Sequence, residues 1–261
     1  MTAHAEASHS LSAVSVRRSI IDQSKRAHVG HIGSALSITD ILVALFARVI
    51  APEQDVFVLS KGHAALAHYC VMEQMGAITH ETLDTYCADG SQLGVHPDHT
   101  LPGVRFSTGS LGHGLSLGTG VAFAKRMAGK PGRVFVLISD AELNEGSVWE
   151  AFMFAGHHRL ANLCVILDNN GQQALAPTNE VIDLSRIGAS VTSLGWECDR
   201  VNGHDVDAVT RVLQTTSSGG PRFVIADTLA GKGVSFMERQ VKWHYLPLDD
   251  EQYAQAMREL S

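Results

Sequence analysis

The chain has 261 residues, enough for one sizeable α/β domain or two small ones. Apolar residues make up 45%, charged residues 18%, and the net charge is -7. That composition is ordinary for a globular protein and argues against a general nucleic-acid or anionic-membrane partner, while leaving room for a local cationic pocket.

Cys70, Cys87, Cys164 and Cys198 are scattered without Cys-x-x-Cys spacing, so neither a disulfide framework nor a zinc site is expected. The first residues are polar and His-rich with no apolar leader pattern, and no apolar run is long enough to span a bilayer. A cytoplasmic protein is expected. Residues 1–10 read as a disordered tail and residues 11–261 as a single domain.

In chain order, Leu11 to His28 suits a helix, with Val14, Ile20 and Ile21 spaced among charges. Ser37 to Ile50 reads as an apolar-rich helix, and Val56 to Leu59 as a short buried strand ending in Ser60-Lys61-Gly62-His63. Ala64 to Met75 and Gly114 to Ala128 are predicted helices. Val134 to Ile138 is the clearest strand, continuous and rich in β-branched residues. A helix over Ser147 to Leu160 and a strand over Leu163 to Leu167 follow. Val206 to Leu213 is then a helix and Phe223 to Ala226 a strand. Alternation of this kind with fully apolar strands predicts an α/β fold, a mostly parallel sheet with helices on both faces. Ligands of such sheets bind beyond the carboxyl ends of the strands, which directs attention to Ser139-Asp140, Asp168-Asn169-Asn170 and Thr228 to Gly233.

Asp140 directly follows the strongest strand, and Asn170 ends the next one. One carboxylate, one amide oxygen and a nearby backbone carbonyl make a hard oxygen site of the sort Mg²⁺ takes when phosphate oxygens complete its shell. Either residue alone reads more simply as a helix cap or a turn. The pair on consecutive strand ends favours a metal–phosphate site.

The stretch from Asp140 to Asn170, with Glu145-Gly146, Ala155-Gly156 and Leu160 between, resembles the thiamine diphosphate motif of transketolases. The resemblance extends over nearly the whole chain. Gly30-His31-Ile32-Gly33 is similar to the family's Gly-His-Pro-Gly, and Phe57 to His63 to its Phe-Val-Leu-Ser-x-Gly-His. Val95-His96-Pro97, Leu101-Pro102-Gly103-Val104 and Thr108 to Gly114 resemble further family motifs in the same order. The fold implied is the thiamine diphosphate-binding fold, and the cofactors implied are thiamine diphosphate and Mg²⁺.

Residue by residue, the resemblance implies that Asp140, the Asn170 side chain and the Gln172 carbonyl hold Mg²⁺. It places His63, His244 and Lys232 near the diphosphate, with Ala141 beside it, and Gly109 and Leu111 along the aminopyrimidine. His31, His63 and His96 would face the donor sugar, with His244 completing the catalytic set. Glu145 resembles an acid that crosses a subunit interface. His31, His63 and His96 follow or flank glycine or proline in loops, where function tends to concentrate.

Two departures stand out. The family's Gly-Asp-Gly is Ser139-Asp140-Ala141 here; an alanine is tolerable at that place if its φ is negative. Transketolases are also longer, and the glutamate that activates the cofactor lies in the part this chain lacks. The expectation is therefore the N-terminal subunit of a split transketolase, paired with a C-terminal transketolase-like subunit, as an α₂β₂ assembly acting on small sugar substrates. The cofactor would serve as electron sink while a two-carbon ketol unit passes from a ketose to an aldehyde acceptor. Alternatives are an acyloin-forming or two-carbon-transfer subunit of specialised metabolism, and a non-catalytic cofactor-binding subunit. A nicotinamide site is disfavoured because Gly-x-Gly-x-x-Gly does not follow the first strands.

Overall fold

The computed structural model describes residues 11–261. The expected disordered tail over residues 1–10 lies outside them. Helix α1 (Ala13–Ala27) buries Val16, Ile20 and Ile21 and ends at His28, whose left-handed φ of 55° stops the ladder. The helix predicted over Ser37 to Ile50 is α3 (Thr39–Arg48), and a short α2 (Ile32–Ser37) that was not foreseen precedes it. They part at Ile38, where φ -89° and ψ -2° interrupt the regular hydrogen bonding. Strand β1 (Val56–Leu59) and helix α4 (Ala65–Gln74) follow as predicted.

After a short helix α5 (His80–Leu83), capped by the Thr79 hydroxyl, the chain makes a long loop to α6 (His113–Met127). Then come β2 (Val134–Ser139), α7 (Gly146–His157), β3 (Leu163–Asn169), α8 (Thr178–Val181) and α9 (Ile187–Ser193). The last elements are β4 (Glu197–Asn202), α10 (Val206–Gln214), β5 (Arg222–Asp227) and α11 (Asp250–Glu259).

The five strands form one parallel sheet in the order β1-β2-β3-β5-β4. Alternate strand residues feed two separate cores, as a sheet covered on both faces requires. Phe135, Leu137, Ile166 and Val224 pack toward α1 to α4, α10 and α11. Val134, Val136, Ile138, Val165, Leu167 and Ile225 pack toward α6, α7 and α9. Because Ser139 stands beside Asp168 and Asn169 beside Asp227, the carboxyl ends of β2, β3 and β5 share one rim. That rim carries the loops singled out from the sequence.

Candidate functional site

Four histidines converge above the rim. His31 caps α2 in a left-handed conformation, φ 62°, with its backbone N–H donating to the His244 carbonyl at 3.3 Å. A non-glycine residue held there stores strain of the kind that gathers at functional sites. Gly30 permits it, because a side chain at that position would collide with the Tyr245 carbonyl. His63 rides a short 3₁₀ turn immediately after β1. Gly62 beside it packs on the Gly109 backbone, so closely that an added Cβ would lie 2.7 Å from the Gly109 nitrogen. Gly109, at φ 132°, leaves its side-chain space to the His96 ring.

The ring of His31 lies 5.6 Å from that of His63, 6.5 Å from His96 and 5.0 Å from His244. His63 and His244 are 5.3 Å apart. Burial is the main cause that lowers the pKa of each. His31 is lowered further by His96 and Lys61, and His63 well below its ordinary value with help from Lys61 and His244. His244 is brought down to about 4. All four are thus neutral at neutral pH, able both to donate and to accept hydrogen bonds. His31 Nδ1 is buried without a partner.

Beneath the histidines is a buried polar network. The Lys61 ammonium pairs with Asp168, both side chains being wholly inaccessible to solvent. Asp168 also accepts from the hydroxyls of Ser37 and Thr228 and from the Asn170 amide. With its amide nitrogen so engaged at 2.9 Å, Asn170 turns its oxygen to the Gln172 backbone N–H and keeps a lone pair free. Asp140 accepts from the Ala141 N–H and the Thr178 hydroxyl. Its carboxyl is pushed up to about 6, mainly by burial and further by the charge of Asp168.

Asp140 is 1% exposed yet has no cation of its own among the described residues, since Lys61 is committed to Asp168. A buried carboxylate in that condition, beside an oriented amide oxygen, fits a divalent cation with oxygen ligands. No group of three or more His, Cys, Asp or Glu side chains able to hold a metal occurs among the described residues. Protein ligation would therefore be sparse, as it is for Mg²⁺ whose remaining ligands are phosphate oxygens and water. Gly33, Ser34, Gln173 and Ala230 line the crevice between Asn170 and His244.

The other predicted residues surround this centre. Ala141 is absent from the residues with positive φ, so the condition under which it can replace glycine is met. Leu111 is half-buried on the loop entering α6. Glu145 precedes α7 without a side-chain cap bond, and its Cβ packs against Gly112. Lys232 is half-buried on the loop after β5.

Sequence reasoning missed Lys61 and Glu142. Glu142 is fully buried and accepts from the Ser60 hydroxyl, the Gly112 N–H at 3.1 Å and the Ser139 N–H at 2.8 Å. It thereby ties together the ends of β1 and β2 and the loop before α6. No local signal sets either residue apart from an ordinary solvated charge.

The family described as "Transketolase, thiamine diphosphate binding domain" matches residues 8–261. The chain is 36% identical over 255 residues to one of the subunits of the apulose-4-phosphate transketolase of Phocaeicola vulgatus, covering 94% of this chain and 91% of that protein. It is 34% identical over 256 residues to a 6-deoxy-6-sulfo-D-fructose transketolase subunit of a Clostridium species, covering 94% and 93%. Its fold superposes on the crystal structure of transketolase from Campylobacter jejuni with a TM-score of 0.88 at 26% identity, over 95% of this chain and 42% of that one. The chain thus spans well under half the length of the solved transketolase it matches.

Proposed function

The chain belongs to the transketolase family, as its thiamine diphosphate-binding domain, and from this we propose that it is the diphosphate-holding subunit of a two-chain ketol transferase. The observation that carries the reading is the junction, at one sheet rim, of an unpaired buried carboxylate with a cluster of neutral histidines. Asp140, the Asn170 oxygen and the Gln172 carbonyl would hold Mg²⁺ and, through it, the cofactor's diphosphate, with Lys232 nearby. Bound thiamine diphosphate supplies an electron sink for carbon–carbon cleavage of a ketose.

The chain's own work is to bind and to manage protons. Neutral His31, His63, His96 and His244 hydrogen-bond the hydroxyls of a sugar, donate to an oxygen that gains charge, and pass protons at those oxygens. Gly109 and Leu111 offer a flat wall for the aminopyrimidine. Two relatives of nearly this chain's length are named as subunits, which supports a second polypeptide that supplies the pyrimidine-facing domain and the activating glutamate. Glu145, free of any side-chain cap bond, would meet a neighbouring copy, giving an α₂β₂ assembly. Ketose phosphates or related modified ketoses are the donor class suggested by those relatives' names. Retention of Asp140, Asn170 and the histidines speaks against a non-catalytic role.

The test is calorimetric titration of thiamine diphosphate into the assembled pair of subunits. Saturable binding with Mg²⁺ that disappears with chelator supports the reading; metal-independent binding of equal affinity refutes the metal site.

A further inference from the structure

The loop after β5 sets Ala230 into the crevice between Asn170 and His244 and carries Lys232 two residues further on. A histidine outside the cluster governs its shape. The Leu229 backbone N–H donates to His204 Nε2 at 2.9 Å. Only an unprotonated nitrogen accepts that bond, so the ring proton sits on Nδ1, which donates to Asp40 Oδ2 at 2.7 Å. Asp40, in the first turn of α3, is buried and takes two further bonds from the Arg17 guanidinium of α1, at 3.1 and 2.5 Å. His204 is thus held in one tautomer and one orientation by a carboxylate that already has its own cation.

Gly203 allows the close fit, since an added Cβ there would lie 2.4 Å from the Thr228 methyl carbon. The same group of side chains reaches the far end of the loop. At Gly233, with φ 95°, an added Cβ would lie 3.2 Å from Arg17 Cδ. Between the two ends, the Gly231 N–H donates to the Gly33 carbonyl of α2 at 3.0 Å, two residues from His31. Arg17, Asp40 and His204 therefore brace Leu229 and Gly233, on either side of Ala230 and Lys232.

On the reading of this crevice as the diphosphate site, we infer that His204 is a positioning residue for cofactor binding. It acts through the Leu229 N–H, which it fixes so that the wall from Ala230 to Lys232 is in place before the cofactor arrives. A loop ordered in advance spares binding the entropy of ordering it. Without the Nε2 acceptor, the Leu229 N–H loses its partner and the loop its anchor.

The experiment is calorimetric titration of thiamine diphosphate with Mg²⁺ into the assembled pair of subunits, with wild type, His204→Asn and His204→Gln compared. Hydrogen–deuterium exchange over Thr228 to Val234 is followed in the full chain without cofactor. Asparagine puts a donor where Nδ1 stands and keeps the Asp40 bond, but it is too short for the Leu229 N–H. Glutamine puts an acceptor oxygen where Nε2 stands and keeps the Leu229 bond. Arg17 still neutralises Asp40 in both variants, so neither strands a buried charge. His204→Asn should weaken cofactor binding by about tenfold and speed exchange of the loop, and His204→Gln should bring both to within about threefold of wild type. Weaker binding by His204→Gln than by His204→Asn would assign the effect to the Asp40 bond and overturn the proposal, as would equal affinity in all three proteins. A wild-type pair that binds no thiamine diphosphate would overturn the cofactor reading and the role of His204 with it.

Discussion

The Lys61 ammonium is paired with the Asp168 carboxylate directly beneath the histidine cluster, with both side chains sealed from solvent. The pair joins the loop after β1 to β3, and Ser37 and Thr228 bring α2 and the loop after β5 onto the same carboxylate. Removing one member strands the other as an uncompensated buried charge, which costs about 3–5 kcal/mol. Lys61→Met should destabilise the chain by that order in chemical denaturation. Lys61→Met combined with Asp168→Asn should recover a good part of it. Equal loss in the single and double variants would show that the pair is not what organises this rim.

Asp140→Asn keeps one acceptor oxygen, for the Ala141 N–H, and turns an NH₂ to the Thr178 hydroxyl, which can accept from it; the charge is removed. Cofactor affinity in Mg²⁺ should fall by about 100-fold or more, since even outer partners of metal ligands cost 10–100-fold. Thermal stability without cofactor should hold or rise, because the native carboxyl is held up at about 6 by burial. Cofactor affinity matching wild type by calorimetry would remove Asp140 from the metal site.

His68 is buried against the rings of Phe46 and Phe57, and acid stability reads that burial out. Its folded pKa is depressed to about 4 by burial, against an ordinary value of 6.5. As pH falls through 6.5, the unfolded chain takes a proton that the folded chain refuses until about 4, so stability declines across that window and the decline ceases below it. Between pH 7.5 and 4.5 wild type should lose about 2–3 kcal/mol more than His68→Leu in denaturant titrations. The comparison separates this effect from that of Asp140, whose raised pKa acts with the opposite sign. Identical pH profiles for the two proteins would contradict it.

Ala141→Gly should leave cofactor affinity within about threefold of wild type, because Ala141 already has an ordinary backbone conformation and glycine adds only freedom. A loss beyond about tenfold would mean that the alanine methyl is itself part of the diphosphate pocket.

Four of the five strands were legible because each is a continuous apolar run that only a two-faced sheet can bury. β4 was not. Glu197-Cys198-Asp199-Arg200-Val201-Asn202 is the edge strand opposite β1, and its charges are those that keep an edge from pairing with another chain. Asp199 there is held by Arg222 of β5, a contact that no local pattern reveals. The rim residues Asp140 and Asn170 could be read from their positions at strand ends. Lys61 and Glu142 could not, since charges are usually solvated and only the assembled fold shows them wholly buried. The helix foreseen over Ser37 to Ile50 is present as α3, but the short α2 before it, set off at Ile38 by a backbone turn, is not encoded in apolar spacing.

The most direct measurement is ketol transfer by the purified chain with thiamine diphosphate, Mg²⁺, a ketose phosphate donor and an aldehyde acceptor, with and without a C-terminal transketolase-like subunit. Holding the diphosphate does not by itself activate the cofactor, which in this account needs an acid from the second chain at the pyrimidine ring. The chain alone should be inactive, and turnover should appear on mixing together with a complex of two copies of each subunit by native mass spectrometry. Robust cofactor-dependent turnover by this chain alone, shown free of any partner in the same spectrum, would contradict the account.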